Sequence, residues 1–519
     1  MPRHLQAGSH ENVLRLTRRP WITAALAAAS LLLVWIGARS LDWRMVHDPP
    51  LLMYQGFLID RLGLVPYRDF WDNNPPGTQL LHAFIGHTFG YGDRAVRWAD
   101  LLLLCATLAA TFVSLAPFPA HVGWCAAVLW GLVYLGRGPS FQRDDFAILG
   151  VGLATAATSS TARWPLWLRA ALVGLLFGAA ASIKPPILVG LPILLTTLVL
   201  ENAPQRLGSR FVVGLGCGAL GACLPLLAIG FSLWKQDALL PFLEMARGYW
   251  PLYTRLSGGL GTIQSPLFNL YSGYRRFGRL QWWLLPATLG VIVALAATPR
   301  GSRERRGVWS FLALAAAYLA YVGIQGKFFG YHWHPFLYGL VLLSALALLE
   351  LPDTLRLLRP VPPLLLLGFL LHHLPFAYSL KEQLAGRPVS APKNGRPDEI
   401  AAFLRAKLRP GDAVQPLDWT GGVVHGMLIA EAPPATPFLV DFPFYHHVSS
   451  PYVFELRGRF LEALRKARPR FVIEVPGADK PWVRGKDTTR DFNKLRRFLE
   501  ANYSEVVNRN GYVIYERRP

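Results

Sequence analysis

Residues that could carry out chemistry are concentrated in the loop that follows the first apolar run, in the segments His47–Pro50, Gly63–Phe70 and Trp71–Gly77. It contains Asp48, Asp69, Asp72 and Arg68, together with two asparagines and two Pro-Pro pairs. A carboxylate can accept a proton from an attacking hydroxyl, and an arginine can bind an anion. Charged groups near lipid are costly unless they are paired or hydrated, so this stretch predicts the lining of a polar cavity. The alternative is a solvated loop held by proline turns.

Three further polar islands interrupt the apolar sequence, and counting membrane crossings places all of them on the side of Asp48. Taken singly, each has an ordinary explanation: an internal Arg–Asp pair, a lysine whose ammonium reaches the membrane surface, or an interfacial aromatic belt. Taken together, they predict a cavity in which cations stabilise a departing phosphate while a carboxylate accepts a proton. The candidate residues in these islands are Arg143, Asp144, Asp145, Lys184, Lys327 and His332.

The sequence contains little that indicates a metal or a cofactor. His332 and His334 could form a metal pair with an aspartate, but this spacing alone is a weak signature. The four cysteines all lie in apolar segments without the CxxC spacing of a zinc site. No phosphate-binding glycine loop, HExxH or GxSxG motif occurs. We therefore predict no metal site and no cofactor, with a divalent ion left as an open alternative.

The elements that must position these residues are membrane helices. The chain has 519 residues, of which 52% are hydrophobic and 16% charged, against about 25% charged residues in soluble domains. We predict a polytopic α-helical membrane region at residues 1–380 and a soluble domain at residues 381–519. The apolar runs divide into about eleven spans, each near the ~20 residues that a bilayer requires. These spans are Trp21–Ala38, Trp98–Leu115, Val122–Leu135, Phe146–Ser160, Leu166–Ile183, Ile187–Leu200, Phe211–Leu233, Trp282–Ala297, Val308–Ile324, Pro335–Leu349 and Val361–Tyr378.

The net charge of +21 comes from basic residues spread over short loops rather than from one basic stripe. Such loops orient a membrane protein and contact anionic lipid, so nucleic acid is not the expected partner. The basic N-terminal tail and the Arg300–Arg306 cluster place the N-terminus in the cytoplasm. An odd number of crossings then places the C-terminal domain outside the cell (inner) membrane, in the periplasm. The loops Arg39–Arg97 and Lys235–Arg279 would also be external, and their basic residues suit a phosphate-bearing substrate.

The C-terminal region has the pattern of a small α/β domain. Pro397–Leu408 and Phe492–Tyr503 have helical spacing of apolar residues, whereas Phe471–Val475 and Tyr512–Tyr515 are short apolar runs typical of strands. Alternating helices and strands predict a sheet covered by helices.

These residues also resemble a known family. The matching segments resemble the first external loop and later loops of bacterial glycosyltransferases of the GT-C fold, similar to the dolichyl-phosphate-mannose–protein mannosyltransferases of family 39. The resemblance covers Arg39 to Leu349 in order, and the external C-terminal domain matches in position. The segments are Asp48, Gly63–Phe70 with the following Pro-Pro pair, Arg143-Asp144-Asp145, Lys184-Pro185, and Gly326-Lys327 with Tyr331-His332.

The resemblance implies an integral membrane transferase that uses a polyprenyl-phosphate-linked sugar, hexosyl or pentosyl, and inverts the anomeric carbon while building cell-envelope glycan. It implies Asp48 as the general base. Many relatives have Asp-Glu at this point, whereas this chain has Asp48-Pro49, so a second acid is left open among Asp69, Asp72, Asp144 and Asp145. The cations proposed for the carrier phosphate are Arg143, Lys184, Lys327 and His332.

Two other functions compete with this prediction. A lipid or glycan transporter would place similar polar residues along a path, but it is expected to have broken or charged helices near mid-membrane. A glycan polymerase or ligase would use pyrophosphate-linked donors and a large external loop, whereas the large polar region here is C-terminal. The sequence leaves the sugar open, and it leaves the acceptor open among lipid, glycan and protein.

Overall fold

The structure is a computed structural model, and it describes residues 20–136, 140–160, 164–201, 207–258, 261–275, 282–373, 378–476, 480 and 483–519. The basic N-terminal tail used for the orientation prediction lies outside these residues. From the N-terminus to the end of the apolar region, the helices are α1 Pro20–Ser40, α2 Pro49–Leu62, α3 Pro76–Phe89, α4 Asp93–Ser114, α5 Ala120–Gly136, α6 Arg143–Ser160, α7 Leu166–Ile183, α8 Leu191–Leu200, α9 Leu207–Lys235, α10 Leu239–Thr254, α11 Pro266–Arg275, α12 Leu284–Ala297, α13 Arg303–Gln325, α14 His334–Ala345 and α15 Val361–His373.

Each of the eleven predicted spans overlaps a helix of the described chain, so the polytopic α-helical class is confirmed; residues 374–377 of the last predicted span lie outside the described residues. Six apolar helices have the length and composition to cross a membrane, counted over the described residues alone. They are Pro20–Ser40, Asp93–Ser114, Leu166–Ile183, Leu207–Lys235, Arg303–Gln325 and Asp353–His372. Shorter apolar helices lie between them at Ala120–Gly136, Pro185–Leu200 and Leu284–Ala297.

Two of the predicted external loops contain helices that the sequence analysis missed. In the first loop, α2 and α3 each begin with a proline, whose fixed φ suits the first helical turn. They pack so closely that a Cβ on Gly56 would lie 2.6 Å from the backbone of His82. The second loop contains α10 and α11. Every residue of α2 from Pro49 to Leu58 is buried, so the helix lacks a polar face from which helical periodicity could be recognised.

The C-terminal region continues with α16 Tyr378–Leu384, α17 Arg396–Lys407, β1 Val414–Leu417, α18 Val423–Ala430, α19 Pro451–Ala467, β2 Phe471–Glu474, α20 Asn493–Asn502, β3 Tyr503–Arg509 and β4 Tyr512–Arg517. The strands form one sheet in the order β1-β2-β4-β3. The β1–β2 pair is parallel, and the other two pairs are antiparallel. The prediction of a small α/β unit is confirmed.

The loop between α1 and α4, which is predicted to be external, packs directly onto this C-terminal unit. The Tyr54 hydroxyl donates a hydrogen bond to the Ala432 carbonyl at 2.7 Å, and the backbone N–H of Trp71 donates to the Pro437 carbonyl at 2.8 Å. The Arg44 guanidinium lies 3.0 Å from the Asp398 carboxylate. The loop and the C-terminal unit are therefore on one side of the helix bundle, as the crossing count requires.

Helices α7 and α9 pack with almost no side chain between them. A Cβ on Gly178 would lie 2.2 Å from the Ala222 carbonyl oxygen, and a Cβ on Gly174 would lie 1.9 Å from that of Gly218. Small residues of this kind allow two backbones to approach closely inside a membrane. The contact matters for the site because α7 ends one residue before Lys184.

We predict that Gly178→Ala destabilises the protein, because the added methyl group must push α9 away. Overpacking of this kind costs about 1–3 kcal/mol, and the expected result is a lower unfolding temperature in detergent. Gly216→Ala is the matched control, since Gly216 lies on α9 with nothing within 4 Å of its Cβ position. An unchanged unfolding temperature for Gly178→Ala would contradict the close α7–α9 contact.

Candidate functional site

The four predicted polar islands meet at one end of the helix bundle. Asp48 immediately precedes α2, Arg143 is the first residue of α6, and Lys184 directly follows α7. The fourth island lies between α13 and α14. A Cβ on Gly77, in the first turn of α3, would lie 2.2 Å from the Ser182 hydroxyl oxygen, so the first loop is packed onto the end of α7 beside Lys184. The site is thus built from helix ends that the bundle holds together.

Asp48 is held at the entrance to α2 with only 9% of its surface exposed. The His47 ring Nδ1 lies 3.0 Å from its Oδ1, and Pro49 and Pro50 direct the chain into the helix. Burial would raise the pKa of Asp48, but the hydrogen bond with His47 and the charges of Arg143 and Lys184 outweigh it, so this pKa lies below the ordinary value. Asp48 is therefore ionised at neutral pH and able to accept a proton.

Arg143 is the cation whose hydrogen-bonding groups remain free. It is partly buried and lies within electrostatic reach of Asp48 and Asp144 and of the Tyr331 and Tyr253 hydroxyls. Within the described part of the chain, no group accepts a hydrogen bond from its guanidinium and no carboxylate forms an ion pair with it. A desolvated guanidinium with free donors is a binding group for phosphate or carboxylate.

Lys184 lies beside Arg143 and is paired. Its Nζ lies 3.0 Å from the Asp144 Oδ2 and 5.7 Å from the centre of the Tyr331 ring. The other oxygen of Asp144 accepts a hydrogen bond from the Tyr321 hydroxyl at 2.5 Å. Asp144 therefore holds Lys184 in place and has few free positions with which to accept a proton from a substrate.

The other acids proposed as partners of Asp48 make local contacts. Asp69 accepts a hydrogen bond from the Val65 N–H at 2.8 Å and pairs with Arg68 at 2.8 Å. Asp145 pairs with the His334 ring at 2.9 Å. These contacts hold a turn and a helix end.

Asp72 is buried, and it accepts hydrogen bonds from Asn74 at 3.0 Å and from Gln79. Burial raises the pKa of Asp72. Of the five candidate acids, Asp48 is the one that faces the cations without another strong partner besides His47.

The fourth island contributes one supporting residue and one residue that faces the cations. The Lys327 ammonium donates hydrogen bonds to the backbone carbonyls of Tyr253 and Leu256, the latter at 2.7 Å, which fixes the end of α10. Burial, and after it the charge of Lys184, lowers the pKa of Lys327 to about 7. His332 is buried against the Tyr331 ring, and its Nδ1 has no hydrogen-bond partner among the residues that the structure describes.

Sequence reasoning missed three residues of this site. Tyr253 reaches it from the end of α10, in a loop where the sequence predicts no helix. The sequence motifs contain Tyr331 and His47 but do not mark either of them as a site residue. A histidine beside a candidate base was the one usable indication.

No metal cluster accompanies these residues. Across the described ranges, no group of three or more histidine, cysteine or acidic side chains could hold a metal ion. His334 is engaged with Asp145, whereas His332 faces Tyr331, so the two histidines do not form a pair.

Comparison with known proteins gives likeness in structure alone. No protein-family model matches the chain, and no curated protein matches its sequence. The crystal structure of ArnT from Cupriavidus metallidurans bound to undecaprenyl phosphate is similar, with a TM-score of 0.56 and 13% identity, covering 96% of this chain and 98% of ArnT. The apo ArnT structure gives a TM-score of 0.53 and 14% identity, with 95% and 98% covered.

A third likeness, to the mycobacterial arabinofuranosyltransferase AftD, has a TM-score of 0.47 and 14% identity, covers 96% of this chain and 42% of AftD, and is too weak to carry an argument. The ArnT likeness extends over nearly the whole length of both chains. This chain therefore has the GT-C fold and is a multi-pass membrane protein.

Proposed function

We propose that this protein is a membrane glycosyltransferase that moves a sugar from a polyprenyl-phosphate carrier to an acceptor hydroxyl on the external face of the membrane. The observation that carries the proposal is Arg143, a partly buried cation with free donors, within electrostatic reach of the ionised Asp48. Transfer from a phosphate leaving group needs these two functions, an anion-binding group and a proton acceptor, within one site.

The carrier phosphate would bind to Arg143 and Lys184, with His332 facing the same cations and Lys327 behind them. Arg143 offers a planar set of donors that suits phosphate oxygens, whereas Lys184 offers a compact charge. The ArnT structure with undecaprenyl phosphate supports a polyprenyl-phosphate donor for a chain of this fold. The polyprenyl tail would lie between the apolar helices, in contact with membrane lipid.

The reaction follows from the positions of Asp48 and the cations. Asp48 takes the proton of the acceptor hydroxyl as its oxygen forms a bond to the anomeric carbon. The bond between that carbon and the phosphate oxygen breaks, and the phosphate leaves with the bonding electron pair, stabilised by Arg143 and Lys184. Attack opposite the leaving phosphate inverts the anomeric carbon. The same chemistry serves hexosyl and pentosyl donors.

We also propose that the protein resides in the cell (inner) membrane with its N-terminus in the cytoplasm and its C-terminal domain in the periplasm. A reporter that is active only in the periplasm should work when fused after Pro519 and fail in the Arg300–Arg306 loop. A reporter active only in the cytoplasm should show the reverse. Cytoplasmic activity at Pro519 would overturn the orientation and the external position of the site.

Asp48→Asn should leave the protein folded but lower sugar transfer by about 10²–10⁴-fold, because the amide keeps the size of the side chain and cannot accept the proton. The measurement is mass spectrometry of lipid-linked and surface glycans from cells that carry each variant in place of the original protein. Asp69→Asn is the matched control, since Asp69 pairs with Arg68 rather than with Arg143 or Lys184. Normal glycans with Asp48→Asn would exclude Asp48 as the base, and normal glycans with every acid replaced would favour a transporter.

Arg143→Ala should weaken binding of undecaprenyl phosphate to the purified protein about 10-fold or more, because a charge-assisted contact contributes about 1.5–3 kcal/mol. Arg143→Lys should recover part of the affinity, since it keeps the charge and loses the planar donor set. Arg68→Ala is the control, because Arg68 is exposed and paired with Asp69. Unchanged affinity in Arg143→Ala would show that this cation does not bind the carrier phosphate.

A further inference from the structure

A cavity of about 250 Å³ lies between the first external loop and the C-terminal unit. One wall is formed by His47, Pro50 and Leu51, at the start of α2. The opposite wall is formed by Trp419 and Thr420, and Lys393 lies at its exposed rim. This cavity is distinct from the site of the proposed carrier phosphate, because Arg143, Lys184 and Lys327 do not line it.

The cavity adjoins the proposed base. His47 lines it, and the same ring lies 3.0 Å from the Asp48 carboxylate. The Trp419 ring faces His47 edge-on at 6.5 Å between ring centres. A hydroxyl-bearing molecule in the cavity would thus lie near Asp48, with the His47 ring between the cavity and Tyr331, whose ring centre is 6.2 Å from that of His47.

The loop that carries Trp419 is held rigidly. It follows β1, at the carboxyl end of the parallel β1–β2 pair, which is where sheets of this kind commonly bind ligands. Asp418 accepts hydrogen bonds from the Gly421 N–H at 2.9 Å and the Val423 N–H at 3.1 Å. The Phe442 ring supports Trp419 from behind, at 5.2 Å between ring centres. The indole is therefore positioned before any ligand binds.

The lining indicates the chemistry of the ligand. The volume of the cavity is just below the roughly 300 Å³ at which pockets for drug-sized ligands begin, so the cavity suits a single ring with its substituents. The Trp419 indole, which lines the cavity together with Pro50 and Leu51, offers apolar surface to the C–H face of a sugar ring, while the imidazole of His47 and the hydroxyl of Thr420 can bind sugar hydroxyls. The Lys393 ammonium at the rim favours an acidic substituent.

We propose that this cavity binds the acceptor, and that the acceptor is a carbohydrate whose sugar ring stacks on Trp419 and whose acidic substituent contacts Lys393. The inference rests on the proposed transferase function and adds the acceptor class to it. The acceptor hydroxyl would then point past His47 towards Asp48, opposite the phosphate held by Arg143. Trp419 and Lys393 are specificity-determining residues in this arrangement.

The test uses the full-length protein in detergent, with glucuronic acid and glucose as probes, measured by saturation-transfer NMR. Glucuronic acid should bind in the millimolar range, and Trp419→Ala should weaken its binding about 10-fold. Trp419→Phe should retain most of the binding, which separates loss of the ring from misfolding. Lys393→Ala should weaken glucuronic acid and leave glucose unchanged. Trp309→Ala, which removes an exposed tryptophan of α13, is the matched control and should change neither.

Undecaprenyl phosphate affinity, measured in the same variants, separates this inference from the proposed function. It should be unchanged in Trp419→Ala and Lys393→Ala. If both variants weaken undecaprenyl phosphate and the sugars alike, the cavity belongs to the carrier, and the inference is wrong. If neither sugar binds the folded protein, or if a serine-containing peptide binds at Trp419 and the sugars do not, the proposal of a carbohydrate acceptor is wrong. Binding of undecaprenyl phosphate that depends on Arg143 would still support the proposed function. Failure of the unaltered protein to bind undecaprenyl phosphate would contradict the proposed function itself.

Discussion

The ion pair between Lys184 and Asp144 is the interaction on which the site depends. Both side chains are buried, and removing one partner of a buried pair costs about 3–5 kcal/mol because the other charge is left uncompensated. Tyr321 occupies the second oxygen of Asp144, so this carboxylate is committed to Lys184. Arg143 lies alongside, and no acid of the described chain pairs with it. The folded protein thus keeps a partly buried cation that makes no direct ion pair within the described residues, and an anionic ligand could occupy its free donors.

The charged groups are brought together by helix ends rather than by one motif. Asp48 precedes α2, and Arg143 begins α6. Lys184 directly follows α7 and comes immediately before a Pro-Pro pair that prevents the helix from continuing. Each group is therefore fixed by the packing of a different helix, and the close α7–α9 contact holds the end of α7 in turn. Such an arrangement places the charges at the ends of apolar helices rather than in their middles, where a charge would be most costly in a membrane.

The sequence predicted the helices well and the pairing of side chains poorly. Apolar spans are set by bilayer thickness, so composition and length locate them, and the α/β pattern of the C-terminal unit follows from periodicity. By contrast, α2 is buried on most sides and lacks a polar stripe, so it was taken for a loop. Lys327 is a further case, because its place in a polar island and in the family resemblance suggested a phosphate ligand. That its ammonium contacts the carbonyls of Tyr253 and Leu256 depends on α10, a helix that was not predicted. Which partner a charge selects is decided by tertiary packing.

The contacts between the first loop and the C-terminal unit give that unit a part in the site. Arg44 pairs with Asp398, and Tyr54 donates to Ala432. These contacts anchor α2 and the residues before it, between which Asp48 lies. In the proposed reaction Asp48 faces a phosphate on one side and an acceptor on the other, so both walls must be held at fixed distance, because small displacements reduce the rate of a positioned reaction strongly. The helix bundle would fix the phosphate side, since the proposed carrier is a lipid. A water-soluble acceptor group would lie above the bilayer, and the C-terminal unit, which is docked on the loop that carries Asp48, would fix that side.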